Sequence, residues 1–96
     1  MRKEEILKLL AQHKPELVRR FGINYLALFG SMARDEAQEG SDVDVMVEFE
    51  GQPTAKRYFG VQFYLEDLFE CPIDLVQKDV VRPELKPYID RDLIHV

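Results

Sequence analysis

From Asp42 to Phe49 the chain alternates strictly between two kinds of side chain. Val43, Val45, Val47 and Phe49 fall on one face, while Asp42, Asp44, Met46 and Glu48 fall on the other, the period of two that a β-strand imposes. Such a strand is anchored in a core through its valines and carries acid on its opposite face. The valine face needs a covering layer.

The rest of the sequence offers that layer in short pieces. Residues 4 to 12 place Ile6, Leu9 and Leu10 among Lys and Glu, a stripe at helical spacing. Pro15 either kinks this helix or opens a second short one, and Gly22 is its expected stop. Tyr25-Leu26-Ala27-Leu28-Phe29 reads as a buried strand ended by Gly30-Ser31, residues 33–37 as a brief helical turn, and Gly40-Ser41 as a loop. A turn at 51–54 leads into a second amphipathic helix over 55–69, carrying Tyr58, Val61, Leu65 and Leu68 and weakened by Gly60. After Cys71-Pro72, Ile73-Asp74-Leu75-Val76 is a third strand. A short helix is expected over 82–90, beginning near Pro83, and 93–96 adds a terminal edge strand. Helices alternating with three or four strands predict an α/β (α+β) fold, a small mixed sheet with helices packed on it.

At 96 residues this is one domain spanning 1–96, with a core too thin to build a lidded active-site cleft. Apolar residues at 46% and charged residues at 32% are ordinary globular usage. The net charge of −5 has the wrong sign for broad attraction to polynucleotide, so nucleic acid is not expected as the main partner. With one cysteine, Cys71, no apolar signal core and no membrane-length apolar run, the expected compartment is the cytoplasm, with no membrane partner.

The chemistry lies on the acidic face. Aspartates at i and i+2 on a strand project to one side with stems about 6.5 Å apart, within reach of one divalent ion or a pair. Asp42 and Asp44 meet this condition. Asp74 stands alone in an apolar strand, where an unpaired charge is costly without a partner. Three converging carboxylates repel one another and raise their pKa values, which Mg²⁺ would relieve. Singly, Asp42 is a turn residue, Asp44 a solvent-facing one and Asp74 a local cap. Gly30-Ser31 changes that reading, because a glycine and serine directly after a buried strand form a backbone nest for phosphate oxygens.

The order Gly30-Ser31, ten residues, Asp42-x-Asp44 resembles the signature of the DNA polymerase beta-like nucleotidyltransferase superfamily. Phe29-Gly30-Ser31-Met32-Ala33-Arg34 and Ser41-Asp42-Val43-Asp44-Val45-Met46-Val47 look like its minimal nucleotidyltransferase (MNT) branch. Pro72-Ile73-Asp74-Leu75-Val76 is similar to the segment carrying the third carboxylate, and Leu85-Lys86-Pro87-Tyr88-Ile89 to the tail of MntA-type antitoxins. The likeness runs from about residue 20 onward. Two positions depart from it: Asp35 stands where glycine is frequent, and Cys71-Pro72 replaces a more usual Gly or basic residue.

The resemblance implies attack of a hydroxyl on the α-phosphate of ATP, with pyrophosphate leaving, by a two-Mg²⁺ mechanism. It assigns Asp42 and Asp44 to both ions, Asp74 to the ion nearer the nucleophile, and Gly30 and Ser31 to the β- and γ-phosphates, with Arg34 as a further phosphate contact. It further implies a HEPN-domain toxin, usually a ribonuclease, as partner and substrate, with AMP placed on a tyrosine hydroxyl. The competing readings are a non-catalytic antitoxin that masks its partner and an adenylyltransferase acting on a small hydroxyl compound.

Other residues have plainer expectations. His13 and His95 lack ligand spacing with each other or with Cys71 and read as surface or edge residues. Cys71 reads as a buried or half-buried filler. Tyr58, Phe59, Phe63, Tyr64 and Phe69 read as core, although one could lie against adenine. Lys56, Arg57, Arg82 and Lys86 read as solvated, though any could guide triphosphate or an acidic surface.

Overall fold

The computed structural model describes residues 2–36 and 42–96; the Gly40-Ser41 loop and the end of the turn expected over 33–37 lie outside the described residues. Helix α1 (Lys3–Phe21) leads into strand β1 (Ile23–Phe29), the four-residue helix α2 (Gly30–Ala33) and strand β2 (Val43–Phe49). Helix α3 (Ala55–Phe69), strand β3 (Ile73–Gln77), a 3₁₀ turn (Lys78–Val80), helix α4 (Lys86–Asp92) and strand β4 (Ile94–His95) complete the chain. The strands form one mixed sheet in the order β3-β2-β1-β4. β1 runs antiparallel to both β2 and β4. β2 and β3 are parallel, joined by α3, because parallel neighbours need a crossover connection.

Most of the core lies on one face of the sheet. Val43, Val45, Val47 and Phe49 of β2 join Leu26 and Leu28 of β1 against Ile6, Leu10 and Leu17 of α1 and Val61, Leu65 and Phe69 of α3. Each such side chain contributes about 1.5–3 kcal/mol by leaving water. The close approach of α1 and α3 depends on Gly60, since a Cβ there would strike the Phe21 ring. Gly60 thus weakens the helix locally and permits its packing.

α1 corrects the expectation of a break at Pro15. The helix is continuous with Pro15 inside it. Proline leaves one carbonyl of the preceding turn without its donor, but Ala11 and Pro15 are both exposed, so water can serve it. Leu10 and Leu17 on the buried side hold the helix on its course. Gly22 stops it as expected, with φ 68° and its N–H donated to the Val18 carbonyl at 2.9 Å. The short C-terminal helix begins at Lys86 rather than near Pro83, because the Leu85 amide first closes a turn onto the Arg82 carbonyl at 3.0 Å.

Arg57 is another correction, since it is a clamp rather than a solvated cation. Its guanidinium donates to the carbonyls of Phe21 (2.8 Å), Gly22, Glu50 and Gln52 (2.9 Å each), joining the end of α1 to the end of β2. His13 is half-buried and shares a 2.5 Å hydrogen bond with the Tyr64 hydroxyl, so it belongs to the α1–α3 contact and not the surface. Phe59 and Phe63, expected in the core, are 50% and 60% exposed and stack on each other on the outside of α3.

Candidate active site

The opposite face of the sheet is thinly covered. Ala27, Phe29 and Met46 form a small second cluster beneath Val81, Ile89 and Leu93. Met46, which the alternation puts on the acidic face, is only 4% exposed. That face is therefore apolar in its middle and acidic at one end.

Strand register creates that end. Phe29 at the end of β1 pairs with Asp44 near the start of β2, and Asp44 pairs with Asp74 on β3. The interval between Gly30-Ser31 and Asp42-x-Asp44 therefore spans the connection between two antiparallel strands. α3 fixes the third strand in place, through Tyr58 Oη donating to the Leu75 carbonyl and Gln62 Nε2 donating to the Ile73 carbonyl, both at 2.6 Å. Asp74 sits between those two anchored carbonyls with its side chain exposed.

Gly30 adopts φ 76°, and a Cβ at this position would collide with the Asp44 carboxylate. Both the left-handed backbone and the close approach demand glycine. From there α2 turns away; among the described residues no side chain caps its first turn, and Ser31, its second residue, is half-buried. Amides at such a start have no partner within the helix. Asp35 takes a left-handed φ of 58°, which explains why glycine would also suit that position; aspartate tolerates it better than most side chains.

Asp44 carries the electrostatic signature of the site. Burial, then the charge and hydrogen-bonding carboxyl of Asp74, then the charge of Asp42, push its pKa up to about 6, with Arg34 pulling the other way. Asp42 is exposed, one residue before the strand. Among the described residues, no three His, Cys, Asp or Glu side chains are gathered closely enough to hold an ion as they stand. The donors are hard carboxylate oxygens, of the kind Mg²⁺ prefers, and the pair Asp44 and Asp74 holds more negative charge than it can stabilise alone. The residues thus fit a divalent cation in chemistry and excess charge.

Arg34 lies beyond the glycine turn, but its guanidinium is engaged. Nε donates to Glu36 at 2.9 Å and Nη1 to Asp92 on α4 at 2.5 Å. The role of Asp92 was missed from sequence, because a contact across 58 positions leaves no local pattern. Cys71 is half-buried near Asp42, with its thiol pKa raised by burial and then by that charge. No helix among the described residues is long and apolar enough to cross a membrane.

Residues 10–94 match the nucleotidyltransferase domain family. The chain is 39% identical over 93 residues to the protein adenylyltransferase MntA of Thermococcus cleftensis, covering 97% of this chain and 94% of that protein. A solved minimal nucleotidyltransferase aligns with a TM-score of 0.82 at 31% identity, covering 100% of this chain and 97% of that one. The MNT antitoxin bound to a tri-AMPylated HEPN toxin from Shewanella oneidensis shares the fold with a TM-score of 0.60 at 18% identity, covering 97% of this chain and 66% of that one.

Proposed function

The chain belongs to the nucleotidyltransferase domain family, in its minimal branch, and from that membership we propose that it transfers AMP from ATP to a tyrosine hydroxyl of a HEPN-domain toxin, neutralising it. The observation that carries this reading is the register Phe29–Asp44–Asp74. It brings the glycine turn, Asp44 and Asp74 to one end of one sheet face.

In the reaction a hydroxyl oxygen bonds to the α-phosphorus, the bond from that phosphorus to the β-phosphate bridge breaks, and pyrophosphate leaves. Gly30 and Ser31 hold the β- and γ-phosphates through backbone amides and the serine hydroxyl. Asp74, on the strand beside Asp44 and away from the glycine turn, faces the incoming hydroxyl. Asp42 and Asp44 would hold two Mg²⁺ ions, with Asp74 sharing the one nearer the nucleophile, and the bound metal supplies charge neutralisation and activation of the hydroxyl. Arg34 has further N–H donors beyond those used by Glu36 and Asp92 and offers them to phosphate. The thin cover over this face leaves room for a protein acceptor to form the remaining wall.

The test is incubation of the purified protein with α-labelled ATP, Mg²⁺ and a HEPN-domain toxin. Label and an AMP mass increment should appear on a toxin tyrosine, and Asp42→Asn and Asp44→Asn should abolish both. Neutralisation that persists undiminished in the two variants would favour masking; label on a small hydroxyl compound instead would move the substrate class.

A further inference from the structure

On the carboxylate face a cleft of about 160 Å³ lies under α4, floored by Met46 and walled by Tyr25, Ile89 and Leu93. We propose that this cleft seats the purine base of the nucleotide, an inference that rests on the transferase reading above. Its position follows from the strand. Met46 and Glu48 stand two and four residues beyond Asp44 on the same face, roughly 7 and 13 Å along β2 at about 3.3 Å per residue. A nucleotide whose α-phosphate rests at Asp44 therefore has a ribose's length in which to reach the cleft. An acceptor tyrosine seated there could not do the same work, because its hydroxyl must lie at the α-phosphorus, and a phenol ring two to four residues away holds it too far off.

Size and chemistry agree with a base. A closed apolar cavity of about 150 Å³ holds one benzene ring, and this cleft, of similar volume, is open at its rim, so a flat heteroaromatic ring can enter with one edge in water. The floor and walls are mostly apolar, as a ring face requires. At the rim, Lys78 lies over the Tyr25 ring with its Nζ 4.4 Å from the centroid, and Glu48 and Asp90 line the same opening. Their charges act on the Tyr25 hydroxyl, whose pKa is raised by burial first and by Asp90 and Glu48 next. The rim thus offers an ammonium donor and carboxylate acceptors to a ring whose edge carries both acceptor nitrogens and a donor amine, as adenine does.

The experiment separates the base from the phosphates. Calorimetric binding of ATP and of inorganic tripolyphosphate, both with Mg²⁺, is measured for the wild-type chain and for Ile89→Trp, which fills the cleft from α4. ATP should bind at least about tenfold more weakly to the variant, since a single methylene in a pocket already changes affinity by about 10- to 200-fold, while tripolyphosphate is unaffected. As a check independent of mutant folding, 8-azido-ATP photolabelling of the wild type should mark Tyr25, Met46 or the 78–93 segment. Unchanged ATP affinity in Ile89→Trp, or label confined to other segments such as the exposed Phe59 and Phe63 of α3, overturns the base site and leaves the transferase reading standing. Failure of the wild type to bind either ligand overturns both.

Discussion

The two faces of the sheet are made from the same strands and have opposite characters. On one, every β2 side chain from Val43 to Phe49 that points inward is buried against α1 and α3. On the other, the intervening residues pass from Asp44 through a buried Met46 to a half-buried Glu48, under a cover of one short helix and a 3₁₀ turn. Stability is therefore concentrated on the first face, and the proposed chemistry falls on the second. The difference shows how a small chain holds repelling carboxylates, since the sealed face can offset what the open face costs.

If that division holds, the largest effect of a single substitution should be functional and carry no loss of stability. Asp44→Asn keeps the shape of the side chain and removes a charge from a place where Asp74 and Asp42 repel it. Transfer from ATP should fall by about 10²- to 10³-fold, the scale of losing one electrostatic partner of a transition state, while the melting temperature stays level or rises. A clear drop in melting temperature would mean that the charge is structural.

The converse substitution sits on the sealed face. Leu65 is fully buried, and Leu65→Ala should cost about 2–5 kcal/mol through lost burial and the cavity left behind. Urea denaturation measures this directly, and nucleotide binding per folded molecule should remain near wild type. Weaker binding at temperatures where the variant is fully folded would show that the faces are coupled.

Gly30→Ala tests the edge between them. The new Cβ meets the Asp44 carboxylate and the backbone has φ 76°, so about 1–2 kcal/mol of stability should be lost to the left-handed conformation alone. ATP affinity should fall with it, whereas Gly51→Ala, with φ 71° but open space around it, should lose stability without losing affinity. Equal affinity in both variants would detach Gly30 from the site.

How much of this was visible in the sequence divides along the same line. The sealed face was legible, because alternating valines and the stripes of α1 and α3 are local patterns that burial enforces. The approach of the glycine turn to Asp44 was foreshadowed by a resemblance carried on spacing, and the antiparallel pairing of Phe29 with Asp44 accounts for that spacing. Long-range polar contacts were not. The four carbonyls that capture Arg57, the His13–Tyr64 bond and the Arg34–Asp92 pair each join distant segments through one side chain, and no periodicity reports them. The cover over the open face was equally hidden, since Val81, Ile89 and Leu93 sit in short elements whose apolar residues are too few to set a period.

The smallest of the expected effects concerns the protonation of the open face itself. The Asp44 pKa is raised from 3.8 to about 6 in the folded chain, so the folded state holds this proton more tightly than the unfolded one. Stability from the group is fully present below the unfolded value and is lost as pH rises through the folded one. In chelator-containing buffer, unfolding free energy should therefore decline between pH 4 and about 6 by more in the wild type than in Asp44→Asn. The difference should be about 1 kcal/mol, because solvent screens a half-exposed carboxylate. Taking the difference between the two proteins removes the carboxylates remote from Asp44 and leaves the titration of Asp44 with the groups coupled to it, Asp74 and Asp42. Added Mg²⁺ should shrink it, since a cation bound at the site favours the ionised form that the proton opposes. A wild-type curve parallel to that of Asp44→Asn across this range would mean that Asp44 ionises as freely as on an ordinary surface, and the contrast between the two faces would then rest on packing alone.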